Sequence, residues 1–492
     1  MTHFSALLSH FIQLKEISVF PLTQYCGIDR STMYKYINGK RLPPRQELVE
    51  QIADCLRLSP SERQKLLSAW KIIQIGEENY YSRKNVENFI LNFPDTFRIN
   101  SPEVSLFSDH FTSTQLPENL LGVNAAVRRS GCVALPSRTA VNHAVIQMIL
   151  NEARKRNGRL ALLLQPDHEY LFHFLTALGE SGCTLNIEHI LCLNRTIQTN
   201  KSKISLNLLY LQKILPLYMR ALNYNVYYYY DNVDARFSSF NGLSCLILTG
   251  ESAISCTSDH SSGIFYSQPE TVRILWDQFL RYKEKCAALF KTVNTLSEEL
   301  DMFNTLGQGM EDSYAIQSEP CLIPFISPDL VGKYIRPDLP GRESLIPVLN
   351  DFLASQRKRI CSGNFHVYQT LSGIRSFLET GQINEIPDGI CFPLSPADRK
   401  LLISCLLQNA GKKYRLLFGP LRNLPGNFHL YVSSSGGYLL FTDRLNRTVY
   451  LLFQESSLLT VFLDYMSHLD SKYFFTYEQM QSLLQELLKE GE

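Results

Sequence analysis

Residues 18–44, SVFPLTQYCGIDRSTMYKYINGKRLPP, constrain the fold more tightly than any other stretch of the chain. Ser18 is placed to cap a short helix whose Val19 and Leu22 face inward, and Thr23 is small enough for a second helix to pack close. Gly27 supplies the tight turn, because only glycine enters the left-handed region cheaply. Asp29 is a good N-cap for a second helix running to about Ile37. On that helix Met33, Tyr36 and Ile37 share one face, while Arg30, Ser31, Thr32, Tyr34 and Lys35 lie on the other or on its flanks. Asn38-Gly39 ends it, and Lys40 and Arg41 follow at once. From position 29 to 45, Arg30, Lys35, Lys40, Arg41 and Arg45 stand against Asp29 alone, a local balance of +4. Two short helices with a glycine turn and a polar, basic outer face suit insertion into a DNA major groove. A small bundle whose charges are merely solvated has the same pattern.

The flanks complete five helices. Thr2–Glu16 is amphipathic through Phe4, Leu7, Leu8, Phe11 and Ile12, and Pro43–Leu56 through Leu48, Val49, Ile52, Ala53 and Leu56. Ser59-Pro60-Ser61-Glu62 is a cap with proline at the first helical position, opening a fifth helix to about Ile72. The run from Leu22-Thr23 through Gly27-Ile28-Asp29-Arg30-Ser31-Thr32-Met33 to Lys35-Tyr36-Ile37-Asn38-Gly39-Lys40-Arg41 and Pro43 resembles the phage-repressor (Cro/C1, XRE) helix-turn-helix family. The resemblance covers about residues 1–72. It implies that Arg30, Ser31 and Lys35 read base edges, with Tyr34 on the same outer face, and that Thr32, Asn38, Lys40 and Arg41 hold phosphates. The sequence departs from the family at Val19, where a polar phosphate contact is usual. It departs again at Ile37, where an acidic residue is usual and a greasier contact with the rest of the domain is expected.

With 48 basic and 47 acidic residues among 492, attraction to nucleic acid must be local. The first 75 residues carry ten Lys/Arg against six Asp/Glu, leaving the remainder slightly acidic. Twelve cysteines without a C-x-x-C pair indicate neither a zinc ribbon nor a disulfide scaffold, and Cys245, Cys321 and Cys405 read as small core residues. No signal peptide or membrane span is evident, so a reducing cytoplasm is expected.

The expected organisation is multidomain: an all-α helix-turn-helix DNA-binding domain at 1–75, a helical connector at 76–128, and an α/β body of two related units, 129–306 and 307–492. In the connector Tyr80–Phe93 reads as a helix, and 94–122 as a Pro/Ser/Asn/Asp-rich linker. The body alternates strands (131–135, 160–164, 185–193, 226–230, 243–249) with helices (137–155, about 172–178, 206–222 with a kink at Pro216). A hairpin then covers 251–266, and Pro269 opens a long helix to Lys291, followed by a helix at 295–306.

The stretch 246–266 aligns without gaps on 430–450 at a constant offset of 184, matching Asp259 to Asp443 and Tyr266 to Tyr450. Upstream, Pro396–Asn409 followed by Tyr414–Phe418 reads as the counterpart of helix 137–155 and strand 160–164, so an internal duplication is expected. Strand, hairpin and closing helix in two copies resemble the degenerate phospholipase D-like sensor domains appended to some bacterial and archaeal regulators. The H-x-K signature of that superfamily is absent at all eleven histidines. The resemblance therefore implies a body without hydrolase chemistry and a cleft left for ligand binding or dimerisation.

Searches for other chemistry return little. His168-Glu169 is followed by His173 at i+5, which puts the second ring on the wrong side for a helical zinc pair. There is no phosphate-binding loop, dinucleotide fingerprint or nucleophile elbow. Asp167, His168 and Glu169 follow a strand where α/β sheets place ligands, though a solvated loop reads the same. The tyrosines 227–230 read as a strand with one buried aromatic face. The expectation is a cytoplasmic bacterial transcription regulator, non-catalytic, with no metal or cofactor. Its partners would be double-stranded DNA, a small-molecule effector and a second copy of itself. The alternatives are a DNA-targeted phospholipase D-like phosphodiesterase or nuclease, and a protein-interaction module without a DNA role.

Overall fold

The computed structural model describes residues 2–93, 131–195, 205–219, 222–237, 242–293, 295–306, 312–362, 364–383, 385–386, 389–408, 413–424, 428–443 and 447–489. Residues 94–122, read from sequence as a linker, lie outside the described residues. The chain divides into two compact units, Met1–Asn85 and Val86–Gln198 with Ser205–Glu492. None of its described helices is long and apolar enough to cross a membrane.

The first unit is helical: α1 (His3–Leu14), α2 (Val19–Cys26), α3 (Arg30–Ile37), α4 (Gln46–Cys55) and α5 (Pro60–Ile75), with α6 (Glu77–Leu91) crossing the division. Side chains start most of these helices as read. Thr2 caps α1, Asp29 accepts from the Thr32 amide, and Ser59 and Glu62 form both halves of a capping box. Ser18 stands at the N-cap of α2 but its hydroxyl makes no capping bond. The fourth helix starts at Gln46 rather than Pro43, whose carbonyl is taken by Trp70 Nε1 at 2.8 Å. Phe4, Leu8, Leu22, Met33, Ile52 and Leu66 form a dry core.

The second unit holds two sheets built on one plan. The first contains β1 (Cys132–Leu135), β2 (Gly158–Leu163), β3 (Leu185–Leu193), β4 (Asn223–Tyr230), β5 (Cys245–Leu248), β6 (Ala253–Cys256), β7 (Gly263–Tyr266) and β8 (Ala287–Ala288), in the order β1-β7-β6-β5-β2-β3-β4-β8. The second contains β9 (Lys291–Val293), β10 (Ser313–Gln317), β11 (Phe365–Gln369), β12 (Tyr414–Leu416), β13 (His429–Val432), β14 (Gly437–Thr442) and β15 (Thr448–Phe453), in the order β12-β11-β10-β13-β14-β15-β9. Read from opposite ends, the two orders coincide over seven strands, and β8 of the first sheet has no counterpart among the described residues. β2, β3 and β4 are parallel, as are β10, β11 and β12, and the flanking hairpin strands are antiparallel in both sheets.

The shared register extends to single residues. Cys245 faces Cys256 as His429 faces Leu440, and Leu163 faces Leu246 as Ile316 faces Leu430. The offset of 184 is therefore structural across β5–β6 and β13–β14, but β15 lies three residues further on: Ala253 faces Tyr266 whereas Gly437 faces Phe453, so Tyr450 is not the counterpart of Tyr266. The upstream pairing is not the expected one: Tyr414 occupies the place of Val226 in β4, and strand 158–163 corresponds to β10. Buried parallel strands all read as short apolar runs after a helix, so sequence pattern alone could not tell β12 from a counterpart of β2.

The helices between strands are α7 (Arg138–Ala153), α8 (Glu169–Glu180), α9 (Leu206–Tyr218), α10 (Pro269–Lys283), α11 (Leu296–Leu306), α12 (Pro328–Tyr334), α13 (Arg342–Ser362), α14 (Leu371–Thr380), α15 (Pro396–Gln408), α16 (Ser456–Ser467) and α17 (Tyr477–Lys489). Two end earlier than read. α9 stops at Tyr218, two residues past Pro216. α10 stops at Lys283, and the chain turns back as β8 to pair with β4. The second sheet gains its edge strand at Lys291, ahead of residue 307 where the second unit was expected to begin.

Alternation sorts each strand between two cores. Leu439 and Phe441 of β14 join the cluster that also holds Leu162 and Ile187 of the first sheet, whereas Tyr438 and Leu440 face the second cluster. Phe462 of α16 is fully buried at that shared core, its ring centroid 5.5 Å from Phe89 and 5.9 Å from Phe453. Phe462→Ala is expected to destabilise the second unit by about 3–5 kcal/mol, read by urea denaturation. A loss under about 1 kcal/mol would show that this core is not shared.

Candidate nucleic-acid interface and body cavity

α3 is short, and its position depends on its ends. Asp29 accepts from the Thr32 amide at 2.8 Å and from the Thr32 hydroxyl at 2.6 Å. These hydrogen bonds hold the Asp29 carboxyl below its usual range. Before it, Gly27 turns the chain at φ +61°. After it, Gly39 at φ +71° lies so close to α1 that a Cβ there would sit 2.8 Å from Ser5 Oγ. Met33 and Tyr36 are buried, and Ile37 packs against the core, the greasier contact expected there. Val19 packs there too.

This burial leaves one face outward. Arg30, Ser31, Tyr34, Lys35, Asn38, Lys40 and Arg41 are all exposed, and Thr32 is half-buried with its hydroxyl already given to Asp29. The Arg30 guanidinium lies 5.7 Å from the Tyr34 ring centroid, which orients the cation without neutralising it. The resulting surface combines donors, cations and an aromatic ring on a capped helix. Chemically it can hydrogen-bond base edges or phosphates. The sequence reading passed over Phe20 and Tyr25 of α2, exposed at 60 % and 58 %, because apolar residues on a short helix are assigned to its core face by default.

In the second unit, a cavity of about 630 Å³ opens among α11, α12, α13, α14 and residues 380–383, 385–386 and 389–394. Leu300, Phe303, Ile326, Val331, Phe352 and Phe377 line it on one part, and polar groups line as much again. Ser318 Oγ is buried without a hydrogen-bond partner, and Glu299 and Glu385 line one side. The Tyr450 hydroxyl lies 3.0 Å from Glu299 Oε1 and 2.7 Å from the Glu385 carbonyl, with one proton to share between them, and His429 Nδ1 lies 2.8 Å from Glu385 Oε1. Burial pushes the Glu299 carboxyl up to about 8, against the pull of the Tyr450 hydrogen bond and with the Glu385 charge adding to the rise. A concave chamber of this volume with apolar walls and convergent polar groups is suited to a small molecule. No sequence motif announced it, because Glu299, Glu385 and His429 come from three separate stretches.

No family model matches the chain, and no curated protein matches it. Among solved structures, TrmBL2, an archaeal chromatin protein described as showing a novel mode of DNA binding, is 12 % identical and covers 58 % of this chain and 99 % of its own, with a TM-score of 0.22. Polyphosphate kinase from Porphyromonas gingivalis is 9 % identical over 77 % of this chain and 59 % of its own, with a TM-score of 0.22. Phosphatidylserine synthase from Haemophilus influenzae Rd KW20 is 11 % identical over 73 % of this chain and 92 % of its own, with a TM-score of 0.23. Likenesses of this size carry no argument about what the chain does.

The Glu299 carboxyl gives a testable pH dependence. Its folded value lies above the ordinary 4.5, so the native state binds the extra proton and stability declines as pH rises from about 4.5 through about 8. Glu299→Gln is expected to remove that decline. Its melting temperature should match the wild type near pH ~4.5 and exceed it near pH ~9. Equal melting temperatures at both pH values would contradict a buried, proton-holding Glu299.

Proposed function

We propose that this chain is a sequence-specific DNA-binding transcription regulator of bacterial, cytoplasmic type, whose first unit is a repressor-like helix-turn-helix and whose body senses a ligand without catalysis. The observation that carries the reading is the outward face of α3. The residues that the family resemblance assigns to base edges, Arg30, Ser31 and Lys35, are exposed, while Met33 and Tyr36 on the opposite side are buried. Asn38, Lys40 and Arg41, assigned to phosphates, are exposed just beyond. Thr32 keeps its hydroxyl on Asp29, so its phosphate contact would come at the cost of the cap.

The mechanism is linkage. In a homodimer two recognition helices would reach successive major grooves at a spacing set by the dimer. An effector in the cavity by α11 would bias that spacing by binding one body conformation better than the other. Apolar walls and buried carboxyls favour an effector with an apolar frame and a hydrogen-bond donor or cationic group.

Of the rivals, the interaction module would be favoured by Arg30 and Lys35 buried against the connector, and both are exposed. The phospholipase D-like hydrolase requires an H-x-K motif that the sequence lacks. The test is binding of the purified protein to DNA from its own upstream region, titrated at several salt concentrations. Binding should prefer certain sites and weaken as salt rises, with log K falling by about 0.9 per phosphate neutralised per decade of salt. Arg30→Ala with Lys35→Ala should cut the preference for the best site over random DNA by about 100-fold or more. Site preference unchanged in the double variant, or no DNA binding by the wild type, would refute the assignment of α3.

A further inference from the structure

Three side chains gathered at the first sheet take no part in the regulator reading. His168 follows β2 and stands at the N-cap of α8, where its ring makes no capping hydrogen bond. Cys245 opens β5 just past the carboxyl end of β2, since Leu246 is the partner of Leu163, and it is buried. His260 lies in the turn between β6 and β7 and is 3 % exposed. One donor atom from each, a ring nitrogen of both histidines and the Cys245 Sγ, lies within 4.8 Å of the other two. The two imidazoles stack with centroids 3.4 Å apart and planes 11° apart.

A buried cysteine beside histidines is more often plain packing than a site, so the state of His260 decides the matter. His260 Nδ1 is 3.2 Å from Asn142 Oδ1, an acceptor, which places the ring proton on Nδ1 and the lone pair on Nε2. Nε2 is buried, and its polar neighbour is the Cys245 thiol, which also interacts with His168. His260 also adopts φ +59°, a conformation that side-chain-bearing residues rarely hold. Its turn is braced for it: the Asp259 carboxylate accepts from the Thr257 hydroxyl at 2.7 Å and the Ser261 amide at 3.0 Å, and Arg138 Nε donates to the Asp259 carbonyl at 3.0 Å. A braced, strained turn thus delivers a buried imidazole nitrogen to a thiol that already faces a second imidazole. An amide oxygen fixing the far ring nitrogen is how proteins orient metal-ligating histidines.

We propose that His168, Cys245 and His260 bind one zinc-type divalent cation. The donor set is nitrogen and sulfur without carboxylate, which suits zinc and not magnesium or calcium. Ligand distances of about 2.0–2.3 Å require the donors to close in, and the half-buried His168 must swing out of the stack so that both in-plane lone pairs meet one ion. Cys256 stands opposite Cys245 in the ladder but outside the three-donor cluster, so the fourth position would fall to water. The bound ion would tie the β6–β7 turn to the end of β2.

The full-length protein, purified without chelator under reducing conditions, is expected to hold about one zinc per chain by elemental mass spectrometry. After chelator treatment, Co2+ should give the intense visible bands of tetrahedral coordination and a thiolate-to-cobalt charge-transfer band. His168→Ala and Cys245→Ser should lose both signals and weaken zinc at least about 10-fold, and Asn142→Ala should weaken it about 10- to 100-fold. Cys132→Ser, at an exposed position of β1, should match the wild type. His168 is partly exposed, so its variant keeps the test decisive if Cys245→Ser fails to fold. Three outcomes would overturn the site: reduced wild type that takes up neither Zn2+ nor Co2+, metal affinity unchanged in His168→Ala, or a Cys245–Cys256 disulfide whose reduction restores no metal binding.

Discussion

The body depends on one constraint: two sheets that share a seven-strand order must each cover both faces, and one covered face of each contributes to a common core. Leu160 and Leu162 of β2 lie in the same apolar cluster as Leu430 of β13, Leu439 of β14 and Leu451 of β15, with Phe462 and Phe89 filling between them. Period-two alternation then commits the remaining residues to opposite sides, Ala161 and Leu163 in the first sheet and Tyr438 and Leu440 in the second. A one-residue slip in β5–β6 or β13–β14 would turn every one of these side chains over, and there the two repeats keep the same register despite their unlike sequences.

What the two repeats do with that register differs at one position. Cys245 and His429 are equivalent, each opening the first hairpin strand at the carboxyl end of a buried parallel strand, the edge where α/β sheets gather ligands. In the first repeat the surroundings are imidazoles and a second thiol. In the second they are the Glu385 carboxylate and the Tyr438 hydroxyl, with the cavity adjoining. One framework thus presents a nitrogen-sulfur cluster on one side and a carboxyl-lined chamber on the other.

Legibility in the sequence followed the range of the forces involved. Local signals were readable: Asp29 and Ser59 cap the helices they were assigned, and the glycine turn at Gly27 has its left-handed φ. The hairpin offset was readable because strand alternation and turns recur within some twenty residues. The parallel strands of the first sheet were read as strands, but their counterparts in the second were missed or mispaired, since β2, β3 and β12 are short buried runs whose neighbours are chosen by chain segments far away. Sites made by distant residues were the least visible. His168 was judged only against His173 along one helix, and Cys245 only as an apolar filler, whereas their partner His260 arrives through the β6–β7 turn. The outward face of α3 was legible because cap, turn and burial pattern all lie within twenty-seven residues.

The account rests on α3 being the surface that meets nucleic acid. Hydrogen-exchange mass spectrometry on the full chain, with and without sheared genomic DNA at low salt, addresses this directly, since phosphate attraction alone brings the interface into contact. Slower exchange concentrated at residues 29–45, with the sheets of the second unit unchanged, is the predicted result. Protection confined to the second unit, with 29–45 exchanging as in the free protein, would contradict it.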